Sequence, residues 1–185
     1  RIVVHSPLGR AVLAPWSVAV AALVEQRSGV DSQPVATDDG FILRLPDGEL
    51  PALVANLARI APKDVERLVA DQVGGTSLFA ARFRECASRA LLLPRRHGRR
   101  MPLWQQRHRA AQLLQVARQH PNFPITVEAV RECLNDRWDL PELTGLLSRI
   151  RSGTVRLVEV VTPSPSPFAA SMLYGYAGRF MYEGD

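Results

Sequence analysis

The stretch from Arg82 to Arg109 constrains the fold more than any other part of the sequence, because most of it must lie at the protein surface. It holds nine arginines and one acidic residue, Glu85, so its net charge is +8 while that of the whole chain is +5. Guanidinium groups stay protonated at any working pH and are costly to bury without a partner. The fold must therefore present this stretch to solvent or to an anionic partner.

An apolar stripe at helical spacing runs through the start of the same stretch. Its members are three or four residues apart, which places them on one face of a helix that packs on a core: Phe79, Phe83, Cys86, Ala90 and Leu93. We interpret Cys86 as a small buried hydrophobic residue. Pro94 ends this helix, and a basic loop bounded by Pro94 and Pro102 follows.

Composition favours a globular protein with a substantial core, since 46% of the 185 residues are hydrophobic. No run approaches the roughly 18 apolar residues of a membrane span, so no membrane partner is expected. The two cysteines have no secretory context, which favours a reducing compartment and predicts a cytoplasmic protein. The chain begins at Arg1 without an initiator methionine, and we expect it to be a piece of a longer protein.

Local patterns predict a mixed α+β fold, mainly helical, with a small mixed or antiparallel sheet. Arg1–His5 has the β-branched content of a strand, and Asp38-Asp39-Gly40 predicts a hairpin. Arg10–Leu13 is interpreted as a second short strand before a helix that starts near Pro15. Further helices are predicted at residues 51–60, 62–73, 76–93, 103–120, 126–136, 140–151 and 168–182, with a strand at 154–162.

The chain is predicted to be a single accessory domain, residues 1–185, with three portions. Residues 1–46 form the strand, helix and hairpin portion, and residues 47–152 form the helical portion. Residues 153–185 hold a strand, a proline-rich connector and a terminal helix.

Sequence motifs for catalysis are absent. There is no phosphate-binding glycine loop, dinucleotide fingerprint, serine nucleophile elbow or zinc-binding H-E-x-x-H. The histidines and cysteines lack metal-ligand spacing, and Asp38 and Asp39 are explained by turn geometry. We therefore predict no catalytic residue, metal or cofactor in this chain, which is not expected to be an enzyme by itself.

Binding is the function that the basic stretch favours. The loop arginines Arg95, Arg96, Arg99 and Arg100 are predicted to bind phosphates, with Arg107 beside them. Trp104 is predicted to stack on a base, and Trp16 is a second candidate. Two alternatives stay open for the loop, an acidic protein surface and plain solvation. Trp104 and Trp16 each have a core alternative, which for Trp16 is the favoured one.

Several short motifs together resemble one known family along essentially the whole chain. They are H-S-P-L-G at 5–9 with A-P-W at 14–16, D-D-G at 38–40 with L-R-L-P at 43–46, L-F at 78–79 with R-F-R at 82–84, A-L-L-L-P-R-R at 90–96, P-L-W-Q-Q-R at 102–107, T-P-S-P-S-P-F at 162–168 and M-Y-E-G-D at 181–185. In this order they closely resemble the DEAD/H-associated region of the Lhr (large helicase-related) proteins of bacteria and archaea.

The resemblance implies a region of a superfamily 2 ATP-dependent helicase that moves 3′ to 5′ on single-stranded DNA and unwinds duplexes, including RNA:DNA hybrids. ATP and Mg²⁺ would then bind in motor domains outside this chain. The implied partners are the tracked single strand or an RNA:DNA hybrid and the motor and winged-helix domains, in a monomer active in DNA repair. This region would help to close the channel for the strand. The alternative is a structural module that packs on the motor without touching nucleic acid.

Overall fold

The computed structural model of the protein describes residues 1–45, 56, 58–93, 102–120 and 122–182, the last seven by their backbone alone. This part of the chain divides into two compact units. The first is formed by the chain up to Val69 and again from Trp138 onward, and the second by Ala70–Arg137. The single-domain assignment stays a prediction, and the unit boundaries differ from the three portions expected from sequence.

The described elements are mainly helical, which confirms the predicted fold class. In chain order they are β1 (Ile2–His5), α1 (Arg10–Ser28), β2 (Val35–Ala36), β3 (Gly40–Leu43), α2 (Pro62–Val73), α3 (Ser77–Arg89), α4 (Leu103–Ala117), α5 (Pro124–Glu132), a π-helical segment (Cys133–Arg137), α6 (Leu140–Arg151) and α7 (Pro167–Tyr182). In the predicted helix at 51–60, residues 51–55 and 57 lie outside the described residues, Asn56 is helical, and residues 58–60 are not.

The first unit contains a three-stranded antiparallel sheet in the order β1-β3-β2. The hairpin predicted at Asp38-Asp39-Gly40 is confirmed, since it joins β2 to the central strand β3. Strand β3 is apolar and fully buried at Phe41, Ile42 and Leu43. Trp16 of α1 packs on Phe41, and Met172 of α7 packs on Ile42. Neighbouring residues of a strand point to opposite faces, so β3 is covered on both faces and is buried continuously.

The predicted short strand at Arg10–Leu13 is wrong, because these residues form the first turn of α1. Gly9 precedes the helix and offers no side chain to cap it. Asp38 replaces the missing cap from the hairpin, where its Oδ1 accepts a hydrogen bond of 3.1 Å from the backbone N–H of Arg10. A carboxylate at a helix N-terminus also interacts favourably with the helix dipole. The long-range cap cannot be inferred from local sequence.

Pro15 lies inside α1 and connects it to the start of α6. Proline has no N–H, so the carbonyl of Ala11, four residues earlier, loses its helical donor. The backbone N–H of Asp139 donates to that carbonyl at 3.0 Å. The side chain of Asp139 in turn accepts a hydrogen bond of 3.0 Å from the N–H of Glu142 and caps α6. One residue thus joins two helices of the first unit.

The second unit is built around α3, whose N-cap is Thr76. The Thr76 hydroxyl accepts a hydrogen bond of 3.1 Å from the N–H of Phe79. Phe79, Phe83 and Cys86 are buried, so this part of the predicted stripe is confirmed. The helix ends at Arg89, earlier than predicted, and the chain turns through Leu91 at a positive φ of 59°. The predicted stripe residues Ala90 and Leu93 therefore lie beyond the helix.

Both cysteines are buried in the second unit. Burial raises the pKa of Cys133 to about 11, and it also raises the pKa of Cys86, with Glu132 adding to the effect. Each thiol is therefore protonated near neutral pH and is a poor nucleophile. The interpretation of Cys86 as a buried apolar residue is confirmed.

The strand predicted at Thr154–Thr162 is wrong. The segment is irregular, and no described strand pairs with it. Its alternating valines have strand propensity, but a strand forms only where a neighbour supplies the hydrogen-bond ladder. The final helix is confirmed as α7, where Met172 packs on Ile42 of β3. Among the helices in the described ranges, none is long and apolar enough to cross a membrane.

Gly40 allows close approach of β1 and β3, which predicts the effect of adding one methyl group. A Cβ at position 40 would overlap the carbonyl oxygen of Val4 on the neighbouring strand. We expect Gly40→Ala to lower the free energy of unfolding by about 1–3 kcal/mol, as overpacking does. Urea unfolding followed by circular dichroism measures the loss.

The matched control is Gly145→Ala, inside α6, where the nearest atom lies at the flexible end of Arg149, 3.4 Å away. Alanine in a helix interior is favoured over glycine by about 0.5–1 kcal/mol, so this variant should be unchanged or more stable. Equal stability of Gly40→Ala and the parent chain would contradict the described strand pairing.

Candidate nucleic-acid interface

The four loop arginines, Arg95, Arg96, Arg99 and Arg100, lie outside the described residues. Their phosphate-binding role stays a prediction. The described candidates are Trp104 and Arg107 in the second unit and Trp16 in the first. The geometry of these three residues decides which surface is suited to a nucleic-acid strand.

Helix α4 begins directly after the basic loop with its N-terminal amides uncapped by a side chain. Pro102 is the N-cap residue and forms no side-chain cap hydrogen bond, and the first turn contains no acidic residue. Free N–H groups at a helix N-terminus and the positive end of the helix dipole both favour an anion. The start of α4 therefore adds positive potential to that of the adjacent arginines.

Trp104 lies in the first turn of α4 with 67% of its surface exposed. Arg107 and His108 follow three and four residues later, so they share one flank of the helix with Trp104, and both are exposed. Arg107 forms no ion pair with any residue in the described ranges. The His108 ring lies 3.2 Å from the amide nitrogen of Gln112, one turn further on. An open indole face beside an unpaired guanidinium suits a base and its phosphate.

Two other arginines of the basic stretch are engaged within the second unit. Arg82 pairs with Glu85 at 2.6 Å on α3. Arg89 pairs with Glu132 at the end of α5, and this hydrogen bond raises the pKa of the Arg89 guanidinium. The first pair lies within α3, and the second joins α3 to α5. The charge of the stretch is thus partly neutralised in α3 and not in α4.

Trp16 is buried in the first unit, with 3% of its surface exposed. Its indole Nε1 donates a hydrogen bond of 3.1 Å to the carbonyl of Ala58. Its ring meets Phe41 edge to face, with the centroids 5.4 Å apart. A base could stack on Trp16 only if this packing opened, which makes Trp104 the better candidate.

Three arginines that the sequence analysis did not single out, Arg59, Arg151 and Arg156, line one groove of the first unit. Arg59 is far along the chain from Arg151 and Arg156, so the sequence does not mark the three as a cluster. Only the fold of the first unit brings them together. Elsewhere in the described chain, no group of three or more His, Cys, Asp or Glu residues is arranged to hold a metal ion.

Comparison with known proteins finds close relatives that are much longer than this chain. The chain is 55% identical over 187 residues to the Lhr helicase/probable uracil glycosylase of Mycolicibacterium smegmatis and covers 12% of that protein. It is 49% identical over 188 residues to the Lhr helicase/uracil glycosylase of Escherichia coli, again 12% of its length. Each alignment spans 100% of this chain. The region therefore corresponds to about an eighth of these relatives.

A more distant relative and a solved structure agree with these matches. The ATP-dependent helicase Lhr-Core of Methanothermobacter thermautotrophicus is 34% identical over 185 residues, which is 98% of this chain and 21% of that protein. The structure of Mycobacterium smegmatis helicase Lhr bound to ssDNA and AMP-PNP matches with a TM-score of 0.83 and 52% identity. That match covers 92% of this chain and 22% of the other.

The model of one protein family matches nearly the whole chain. The matched residues are 1–169, which include both units and the start of α7. This match agrees with the resemblance noted from the motifs. The chain belongs to the DEAD/H associated family.

Proposed function

We propose that this chain is the accessory region of an Lhr-type ATP-dependent helicase and that the start of α4 contacts the tracked single strand. The observation that supports this most directly is an exposed Trp104 followed one turn later by Arg107, which has no ion pair within the described chain, immediately after the basic loop. Arg95, Arg96, Arg99 and Arg100 would extend that surface and bind successive phosphates. The region would form one wall of the channel for the strand.

Relatives support the helicase context. The proteins most like this chain include Lhr helicases, and one solved relative is a helicase bound to ssDNA and AMP-PNP. Since the chain spans only 12% of the first two relatives, ATP hydrolysis with Mg²⁺ and 3′ to 5′ movement would belong to motor domains outside it. We also propose that the longer helicase unwinds RNA:DNA hybrids, has a winged-helix domain that contacts this region, and acts as a monomer in the cytoplasm.

Arginine and tryptophan would have separate roles at this surface. Guanidinium groups bind phosphates without regard to sequence, and their contribution weakens as salt rises. The indole of Trp104 offers a flat apolar face on which any base can stack. Together they would hold a strand firmly without selecting a sequence, which suits a motor that must move along it.

A second candidate function is a structural module that packs on the motor domains and never touches nucleic acid. The ion pairs Arg82–Glu85 and Arg89–Glu132 favour it, because they give arginines of the basic stretch a structural role. Binding of the 185-residue chain to a labelled single strand separates the two functions. Absence of binding at low salt would favour the structural module.

Replacement of Trp104 tests the stacking contact. We expect Trp104→Ala to weaken binding of a fluorescent single-stranded oligonucleotide by about 1–3 kcal/mol, the usual value for one stacked base. The thermal midpoint should be unchanged, because the side chain is exposed. Fluorescence anisotropy and circular dichroism measure the two effects. Val116→Ala, at an exposed apolar residue near the other end of α4, is the matched control and should leave both unchanged.

Equal losses of stability and affinity in Trp104→Ala would instead identify Trp104 as a packing residue. Unchanged affinity at unchanged stability would remove Trp104 from the interface altogether.

Replacement of Arg107 tests the phosphate contact. Each phosphate neutralised on a single strand contributes about 0.7 to the slope of log affinity against log salt. We therefore expect Arg107→Ala to reduce that slope by about 0.7 and to weaken binding of every sequence alike. Titrations of the same oligonucleotide at several salt concentrations measure it.

The matched control is Arg131→Ala, at an exposed arginine of α5 that lies 3.8 Å from Glu128. Removing the Arg131 side chain should leave the slope of log affinity against log salt unchanged if the strand binds only at α4. A reduction of equal size in both variants would mean that the strand responds only to total charge.

A further inference from the structure

The first unit contains a groove of about 560 Å³ that is separate from the α4 surface. It is lined by residues around the start of α2, the C-terminal end of α6 and the segment that follows α6. Of the described residues proposed above to contact nucleic acid, neither Trp104 nor Arg107 lines it. Its chemistry can therefore be considered independently of the proposed function.

Three arginines give the groove its charge. Arg59 precedes α2, Arg151 lies in the last turn of α6, and Arg156 follows that helix. All three are exposed, and none forms an ion pair with a residue that the structure describes. The described lining contains no acidic residue. Guanidinium groups that share a groove with no carboxylate among its described lining are well satisfied by an anionic ligand.

Aliphatic side chains form the rest of the lining. Val155 and Leu157 are partly exposed and contribute apolar surface, whereas Leu147 and Ile150 are buried. No aromatic residue is among the described lining residues, whereas sites for single-stranded nucleic acids use aromatic side chains as stacking platforms. Apolar surface with arginines at its edge instead fits a ligand that has both carboxylates and aliphatic groups.

The segment that follows the groove residues along the chain also exposes aliphatic side chains. Val158, Val160 and Val161 are exposed by 66%, 74% and 87%. Within the described chain, no backbone-to-backbone hydrogen bond involves residues 156–162. Exposed valines on a backbone whose N–H and C=O groups have no described backbone partner are features to which an extended peptide can bind by strand addition.

We propose that this groove and residues 156–162 beside it bind an extended polypeptide segment in which acidic and apolar side chains alternate. Carboxylates on one side of that segment pair with Arg59, Arg151 and Arg156, and the guanidinium geometry allows bidentate contacts. Its apolar side chains pack on Val155 and Leu157, and its backbone pairs with residues 156–162. Charge complementarity and aliphatic lining together select a polypeptide over a nucleic acid.

A short fluorescent peptide that alternates Asp and Leu is the probe, measured by anisotropy with the 185-residue chain. Binding is expected at low salt and weakens as salt rises. Arg59→Ala, Arg151→Ala and Arg156→Ala should each weaken it by about three- to tenfold, the range for single partly exposed charge contacts. A peptide that alternates Asp and Ser should bind more weakly, because it keeps the charge and loses the apolar contacts.

Arg27→Ala is the matched control, since Arg27 occupies the last turn of α1 as Arg151 occupies the last turn of α6. Both variants lose the same favourable interaction with a helix C-terminus, so only Arg151→Ala should weaken peptide binding. Thermal midpoints of all variants distinguish lost binding from lost folding.

Three results would overturn the inference. The first is absence of Asp/Leu peptide binding at low salt, and the second is an equal effect of Arg27→Ala. The third is displacement of the peptide by a thymidine oligonucleotide whose own binding depends on Arg156, which would assign the groove to nucleic acid. The variants Trp104→Ala and Arg107→Ala leave peptide binding unchanged, so failure of this inference is distinguishable from failure of the proposed function.

Discussion

The hydrogen bond from the N–H of Asp139 to the carbonyl of Ala11 is the contact on which the first unit depends. Pro15 creates the need for it by removing the helical donor that this carbonyl would otherwise have. Asp139 also caps α6, and the neighbouring Trp138 is buried. The chain thereby returns to the first unit after the second, and α6 begins at a fixed point beside α1. Arg151, at the far end of α6, and the groove that it lines follow from that placement.

Arginines on α3 and α4, two helices of the second unit, differ in the groups that satisfy their charge. On α3, Arg82 and Arg89 pair with carboxylates, and Arg89 joins α3 to α5. On α4, Arg107 has no carboxylate partner in the described chain, and it lies next to an exposed indole. An exposed ion pair contributes little to stability, while an unpaired arginine beside an aromatic ring is suited to a phosphate and a base. The basic stretch therefore includes a structural part and a binding part.

Sequence patterns correctly predicted the elements that depend on interactions between residues close together in the chain. The Asp-Asp-Gly hairpin and α7 were predicted because turn residues and helical spacing act over a few residues. The strand predicted at Thr154–Thr162 does not form, because valine content alone does not supply a neighbouring strand with which to pair. The strand predicted at Arg10–Leu13 is wrong because these residues begin a helix whose cap comes from Asp38, far along the chain. At the candidate site, spacing placed Trp104 and Arg107 on one flank of α4, but the exposure of Trp104 and the burial of Trp16 depend on tertiary packing. Arg59 is distant in sequence from Arg151 and Arg156, so no local pattern indicated the groove.

The central claim is that a single strand contacts the start of α4, and tryptophan fluorescence tests it most directly. Trp16 and Trp138 are buried, so Trp104 is the indole that a strand can reach. We predict that a single-stranded oligonucleotide quenches part of the emission of the 185-residue chain and that Trp104→Phe, which keeps a stacking ring, abolishes the quenching while anisotropy still reports binding. Quenching that is unchanged in Trp104→Phe, or binding without any quenching of the parent chain, would contradict the account.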